Sequence, residues 1–141
     1  MADGAYFNAY DTIPECYKFI EDVITNSDIN QDFKRLTFGL SFDSEQFFNK
    51  QTRIYDIDGP KNLMNSDQLS DWYLKQCKEH PNLTYLEDPF QEGKGYKVIT
   101  AKLQDLPQKV DVCVKQLINS DLNILKDVTT FVEQPLATES S

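Results

Sequence analysis

The residues with the clearest chemical potential end a short apolar segment of the chain. Tyr85-Leu86 is followed by two carboxylates, Glu87 and Asp88, and then by Pro89-Phe90. In parallel α/β folds, functional side chains project from the carboxyl ends of the strands, so Glu87 is a candidate metal ligand. Consecutive side chains of a strand point to opposite faces of the sheet, and Asp88 is therefore expected to point away from Glu87.

The composition excludes several classes of partner. The chain has 141 residues, 14 basic and 23 acidic side chains, and a formal net charge of −9. This length suits one modest domain, and the negative charge argues against nucleic acid and anionic membrane surfaces as partners. No signal-peptide pattern and no long apolar run is present, so we expect a cytoplasmic protein. The three cysteines are widely spaced, and we expect them to be reduced thiols packed in the fold.

Helix and strand patterns alternate along the chain. Thr12-Ile13-Pro14-Glu15 has the form of a helix start, and Ser66 is expected to cap the next helix. Apolar spacing predicts helices over about residues 12–26, 66–80, 93–103 and 121–131, and strands over residues 36–42, 83–86 and 110–114. The fold class is therefore α/β, with about three parallel strands joined by right-handed helical crossovers. We expect one domain over residues 1–135 and a polar tail over residues 136–141.

Five short motifs, taken in order, resemble those of the enolase family. They are Asp3-Gly4-Ala5, Phe38-Gly39-Leu40, Tyr55-Asp56-Ile57-Asp58, Ser66-Asp67-Gln68-Leu69 and Leu86-Glu87-Asp88-Pro89-Phe90. Enolase dehydrates 2-phosphoglycerate in a (β/α) barrel, and the resemblance covers the middle part of that barrel domain. A complete eight-stranded barrel needs about 250 residues, so the resemblance implies a partial, degenerate barrel.

The resemblance also implies the positions of the metal ligands. Active enolases hold their principal Mg²⁺ with three carboxylates at three strand ends, and these positions fall on Ser41, Glu87 and Lys115. Mg²⁺ requires hard oxygen ligands, and only Glu87 supplies a carboxylate. We therefore expect no metal ion and no cofactor. Asp43, two residues beyond Ser41, is a possible substitute ligand if the strand register shifts.

The catalytic groups of the family are also incompletely represented. The general acid falls on Asp3, and the lysine that acts as general base has no counterpart, so no catalytic residue is expected. Lys115 could act as an internal counter-ion for Glu87 in place of the metal. Alternatively, both side chains point into solvent.

A sheet of three parallel strands has two open edges and needs cover on both faces. We therefore expect protein partner chains within a larger assembly. The aromatic residues Phe42, Phe47, Phe48 and Tyr55 lie near one edge strand, where they form either ordinary core packing or an interface.

Three functions remain open at this point. The first is a non-catalytic structural or assembly subunit of enolase type, and the resemblance to enolase-like proteins of sperm and cilia implies a ciliary axoneme, in its central apparatus, as one location. The second is one part of a split, Mg²⁺-dependent enolase completed by another chain. The third is a free-standing module that binds a small ligand at the strand ends, where Asp3, Asp43, Glu87 and Lys115 would line a crevice.

Overall fold

A computed structural model describes residues 13–26, 36–57 and 62–114 of the chain. The elements within these ranges are α1 (Ile13–Asn26), β1 (Phe38–Ser41), β2 (Phe48–Asn49), β3 (Ile54–Asp56), β4 (Leu63–Met64), α2 (Ser66–Glu79), β5 (Leu83–Glu87), α3 (Gly93–Leu103) and β6 (Asp111–Cys113). The chain divides into two compact units, Met1–Leu36 and Thr37–Ser141. The predicted helix over residues 121–131, the predicted tail, Asp3 and Lys115 lie outside the described residues.

Helix α1 belongs to the first unit, and its bounds confirm the helix that the sequence predicts there. Its fourteen residues carry Glu15 in the first turn, where a negative charge is favoured by the helix dipole. All other described elements belong to the second unit.

The second unit is built on a parallel sheet in the order β1-β5-β6. Strand β5 is central, with Ser41 of β1 on one side of Glu87 and Cys113 of β6 on the other. The parallel sheet alternating with helices confirms the predicted fold class. Strands β1 and β6 are three and two residues shorter than predicted, and β5 is one residue longer. The sheet of the described residues is open and does not close into a barrel.

A second, antiparallel sheet of strands β2, β3 and β4 follows β1, and the sequence analysis did not predict it. Its strands are only two or three residues long, too short for alternation of side chains to be visible. The turn between β2 and β3 is set by Asn49, whose side-chain oxygen accepts hydrogen bonds from the backbone N–H of Gln51 (2.9 Å) and Thr52 (3.1 Å). Arg53 completes the turn in the left-handed region, at φ 57°.

Helix α2 packs against α3 and β5, and its start corrects one prediction. Asn65, and not Ser66, caps the helix, because its side chain accepts from the N–H of Gln68 while the Gln68 side chain accepts from the N–H of Asn65. The predicted bounds of α3 and its inward-facing residues Tyr96, Ile99 and Leu103 are confirmed.

The core of the second unit lies between the helices and one face of the parallel sheet. Its fully or almost fully buried apolar side chains are Leu69, Tyr73, Cys77, Leu83, Leu86, Phe90, Tyr96, Ile99 and Leu103. Phe90 is its centre, since its ring meets those of Tyr55, Tyr73 and Tyr96 edge-on at centroid distances of 5.5–6.0 Å.

The aromatic cluster near β1 packs mainly as core. Tyr55 is fully buried between the rings of Phe48 (4.6 Å) and Phe90, and Phe42 is buried edge-on against Tyr73 (4.9 Å). Phe47 and Phe48 are half-buried. Of the two alternatives for this cluster, core packing is confirmed for Phe42 and Tyr55.

Candidate functional site

The carboxyl ends of the three parallel strands bring Ser41, Glu87 and Cys113 side by side. These residues are direct neighbours in register, so their side chains leave the same face of the sheet. Two backbone hydrogen bonds continue past the ends of the strands: Phe42 N–H donates to Glu87 O (2.8 Å) and Asp88 N–H donates to Cys113 O (2.9 Å). The strand ends are therefore held firmly at the candidate site. We call the face that carries Ser41 and Glu87 the inner face, and the opposite one the helix-covered face.

Both oxygens of the Glu87 carboxylate accept hydrogen bonds from hydroxyl groups on the inner face. Ser41 Oγ donates to Oε1 at 2.9 Å, and the Tyr85 hydroxyl donates to Oε2 at 3.1 Å. Hydrogen bonds to a charged acceptor are among the stronger ones in proteins. The carboxylate is thus provided with neutral donors from its own strand and from β1.

Tyr85 is a site residue that the sequence analysis missed. Its ring lies directly over Gly39 of β1, because a Cβ placed on that glycine would be 2.7 Å from the ring. Only glycine leaves room for this close approach of a ring to the backbone. The signal was available in the sequence, since Tyr85 and Glu87 are two residues apart on one strand and must share a face.

The Tyr85 hydroxyl also lies close to the thiol of Cys113. The pKa of Tyr85 is raised well above its ordinary value, first by its hydrogen bond with Cys113, then by loss of hydration, and then by its hydrogen bond with Glu87. Tyr85 therefore remains a neutral donor at physiological pH, which suits its contact with a carboxylate.

Asp88 lies on the other side of the strand from Glu87, as its position in the sequence predicts. It is 2% exposed and adopts a left-handed backbone conformation, at φ 49°. Its charge contributes to the raised pKa of Tyr96, after the larger effect of burial. The turn at Asp88 directs the following Pro89-Phe90 into the core.

Asp43, the possible substitute ligand, begins the turn that leads to β2. Its carboxylate accepts from Gln46 Nε2 at 2.5 Å, and its carbonyl accepts from the Gln46 N–H at 3.0 Å. Asp43 therefore takes part in fixing this turn.

A second carboxylate, Glu92, fastens the antiparallel sheet to the helices. It accepts from Arg53 Nε (2.6 Å) and from Ser66 Oγ (3.0 Å), and its side chain is only 15% exposed. The interaction with Glu92 raises the pKa of Arg53. Because Glu92 immediately precedes α3 and Ser66 begins α2, this contact ties the start of each helix to the β2–β3 turn.

The residues at the strand ends do not fit a magnesium ion. Mg²⁺ favours near-octahedral oxygen coordination with anionic ligands, whereas Ser41, Tyr85 and Glu87 offer one carboxylate and two neutral hydroxyls that already donate to it. Within residues 13–26, 36–57 and 62–114, no three His, Cys, Asp or Glu side chains are grouped so that they could hold a metal ion. Asp3 and Lys115 are not described, so their predicted places in the site stay predictions.

A sequence model of one protein family, described as the C-terminal TIM barrel domain of enolase, matches residues 2–134. This chain belongs to the enolase family. The match confirms the resemblance carried by the short motifs, and it accounts for the parallel sheet and for the position of Glu87 at a strand end. In this enolase-family chain Ser41 and Glu87 are brought together as the resemblance implies.

The structure also has an open groove of about 630 Å³. It is lined by one side of α3, the connection after it, and β6, with Tyr96, Thr100, Leu103, Leu106, Val112 and Val114 among its residues. Neither Asp43 nor Glu87 lines this groove, so it is not the crevice that the third functional hypothesis places at the strand ends. Separately, no helix of the described residues has the length and apolar character needed to cross a membrane.

Proposed function

We propose that this enolase-family chain is a non-catalytic subunit that acts by assembling with partner chains. The observation that carries the proposal is the environment of Glu87, whose two carboxylate oxygens accept hydrogen bonds from Ser41 and Tyr85. A metal ion bound to Glu87 would have to displace the two hydroxyl groups that donate to the carboxylate. A single carboxylate would then be its only anionic ligand among Ser41, Tyr85 and Glu87, whereas Mg²⁺ prefers several.

Loss of the ion would remove the main source of electrostatic catalysis. A metal in such a site stabilises negative charge that develops on the substrate, and proton transfer also requires a base within reach of the reacting carbon. The sequence offers no lysine in the context of the family's general base. We therefore infer that this chain does not catalyse the family's reaction.

The exposed inner face supports the assembly part of the proposal. Parallel sheets are normally covered on both faces, but in the part of the chain that is described the inner face exposes Ser41 and leaves Tyr85 36% accessible. On the helix-covered face, in contrast, Leu86 of the central strand is fully buried. We propose that a partner chain continues the parallel sheet or covers its inner face.

The role of Lys115 can be tested within this proposal. We propose that it acts as a counter-ion for Glu87, since the resemblance puts it at the end of the strand next to β5. Lys115→Met would then lower the melting temperature slightly, and Lys115→Asp would lower it by several degrees through repulsion between carboxylates. Equal melting temperatures for the two variants would contradict the counter-ion role.

Assembly is tested on the native complex. The chain should co-purify with defined protein partners. In size-exclusion chromatography, the isolated chain should elute as oligomers, or as aggregates formed through its uncovered sheet face. A well-behaved monomer with no co-purifying protein would contradict the assembly role. The family resemblance to enolase-like proteins of cilia supports an axonemal location as part of the proposal, and fluorescence microscopy of the tagged chain tests it.

A split enolase is the second candidate, and the retained carboxylate of Glu87 at its strand end favours it. The test is formation of phosphoenolpyruvate from 2-phosphoglycerate by the chain together with its co-purifying partners, in Mg²⁺. Turnover that is lost in Glu87→Gln would establish the enzyme and overturn the non-catalytic proposal. Absence of turnover by the intact complex is the result that we expect.

A further inference from the structure

The Tyr85 hydroxyl lies next to the Glu87 carboxylate. A metal ion bound to this carboxylate would need room there for its water ligands. We propose that Tyr85 is a second barrier to metal binding, independent of the missing carboxylates, and that restoring the carboxylates alone does not restore the site. The inference rests on the proposed loss of the metal site, and it assigns a role to a residue outside the three family ligand positions.

The first argument is the position of the phenol oxygen. It lies 3.1 Å from Glu87 Oε2, which is about the separation between neighbouring ligand oxygens around a small octahedral ion. Mg²⁺ retains several of its waters when it binds to protein. The Tyr85 oxygen would occupy the place of one of these waters. It belongs to a neutral hydroxyl that already donates a hydrogen bond to the carboxylate.

The second argument is that Tyr85 cannot easily move away. Its ring is in close contact with the backbone of Gly39, and its hydroxyl is also near the Cys113 thiol, on the opposite neighbouring strand. The side chain is thus packed against β1, and its hydroxyl is fixed by the hydrogen bond to Glu87. Ser41, by comparison, is a small hydroxyl that can rotate away at little cost.

The experiment compares Mg²⁺ binding by four forms of the full chain, measured by calorimetry and, with Mn²⁺ as the probe, by electron paramagnetic resonance. They are the unaltered chain, Ser41→Asp/Lys115→Asp, and the same double variant with Tyr85→Phe or with Tyr85→Ser. We expect the double variant to bind weakly, and the addition of Tyr85→Ser to increase affinity about 10–100-fold, which equals in size, with the opposite sign, the effect of removing groups that support metal ligands. Tyr85→Phe removes only the hydroxyl and should give an intermediate gain.

A matched control is Tyr96→Phe in the double variant, because Tyr96 is a buried tyrosine on the helix-covered face and should not affect the metal. Far-ultraviolet circular dichroism establishes that each form is folded, and Tyr85→Phe decides the question if Tyr85→Ser does not fold. Equal affinity with and without Tyr85, or no binding by any of the restored forms, would overturn the inference. Binding of Mg²⁺ by the unaltered chain would instead count against the proposed function.

Discussion

The two faces of the parallel sheet are stabilised by different interactions. On the helix-covered face, Leu86 and the residues that follow β5 are fully buried, and Phe90 is enclosed by three tyrosine rings. On the inner face, Ser41 is exposed, Tyr85 is partly exposed, and the contacts are hydrogen bonds to one carboxylate. Apolar burial stabilises the first face, whereas polar contacts of modest net stability organise the second.

The difference separates the residues that maintain the family fold from those that determine the chemistry. The helix-covered face can be the same in an active enzyme and in a non-catalytic relative, because its packing serves the fold alone. The inner face carries the positions at which the family resemblance puts the metal ligands, and under the proposed function a few side chains there change the chemistry without disturbing the core. Substitutions on the two faces should therefore have unequal effects on stability.

The largest expected effect comes from the centre of the helix-covered face. Phe90→Ala removes a fully buried ring and should lower the free energy of unfolding by about 3–5 kcal/mol, measured by chemical denaturation. Tyr85→Ala on the inner face is the comparison, and it should cost much less because Tyr85 is 36% exposed. Equal losses for the two variants would contradict the contrast between the faces.

A smaller loss is expected at Gly95, inside α3. A Cβ at this position would overlap the ring of Phe90, which is fully buried and has no free space to move into. Gly95→Ala should therefore cost about 1–3 kcal/mol through overpacking, as measured by denaturation. Gly93→Ala is the matched control, since nothing lies within 4 Å of its Cβ and we expect no destabilisation.

The corresponding glycine of the inner face is Gly39, and its replacement sharpens the comparison further. Gly39→Ala places a methyl group 2.7 Å from the Tyr85 ring and 2.9 Å from its Cβ. A loss of about 1 kcal/mol, at the low end of the range for overpacking, is expected because Tyr85 is 36% exposed. Combining it with Tyr85→Ala should remove the part of the penalty that comes from the ring, whereas the Cβ of residue 85 stays 2.9 Å from the added methyl group. Simple addition of the two losses in a double-mutant cycle would show that the ring and the glycine are not coupled.

The smallest effect concerns pH and the buried thiol of Cys77. Burial raises the pKa of Cys77 from 9.0 to about 11, so the unfolded chain loses this proton at lower pH than the folded chain. The contribution to stability is complete below pH 9 and is lost as the pH rises toward 11, by on the order of 1 kcal/mol. Melting temperatures of the unaltered chain and of Cys77→Ala between pH 8 and 11 provide the test. Parallel curves for the two proteins would contradict the prediction.

Helix α3 and the parallel sheet that it covers could be predicted from the sequence. The three- and four-residue spacing of Tyr96, Ile99 and Leu103 defined α3 within its observed bounds, and the alternation of strands and helices gave the parallel sheet. These features are local, because each follows from the period of apolar residues within one segment. The antiparallel sheet was missed since its pairing depends on residues too few to show a period.

The sequence by itself determined the family and the strand that carries Glu87, and the resemblance predicted Ser41 at the neighbouring ligand position. Only the tertiary structure decided what surrounds that carboxylate. Its neighbours are the Ser41 hydroxyl, 46 residues away in the chain, and the hydroxyl of Tyr85, whose ring packs on Gly39. The physical reason is that hydrogen bonds and close packing between strands depend on register. Register relates distant segments, and no local pattern of residue types specifies it alone.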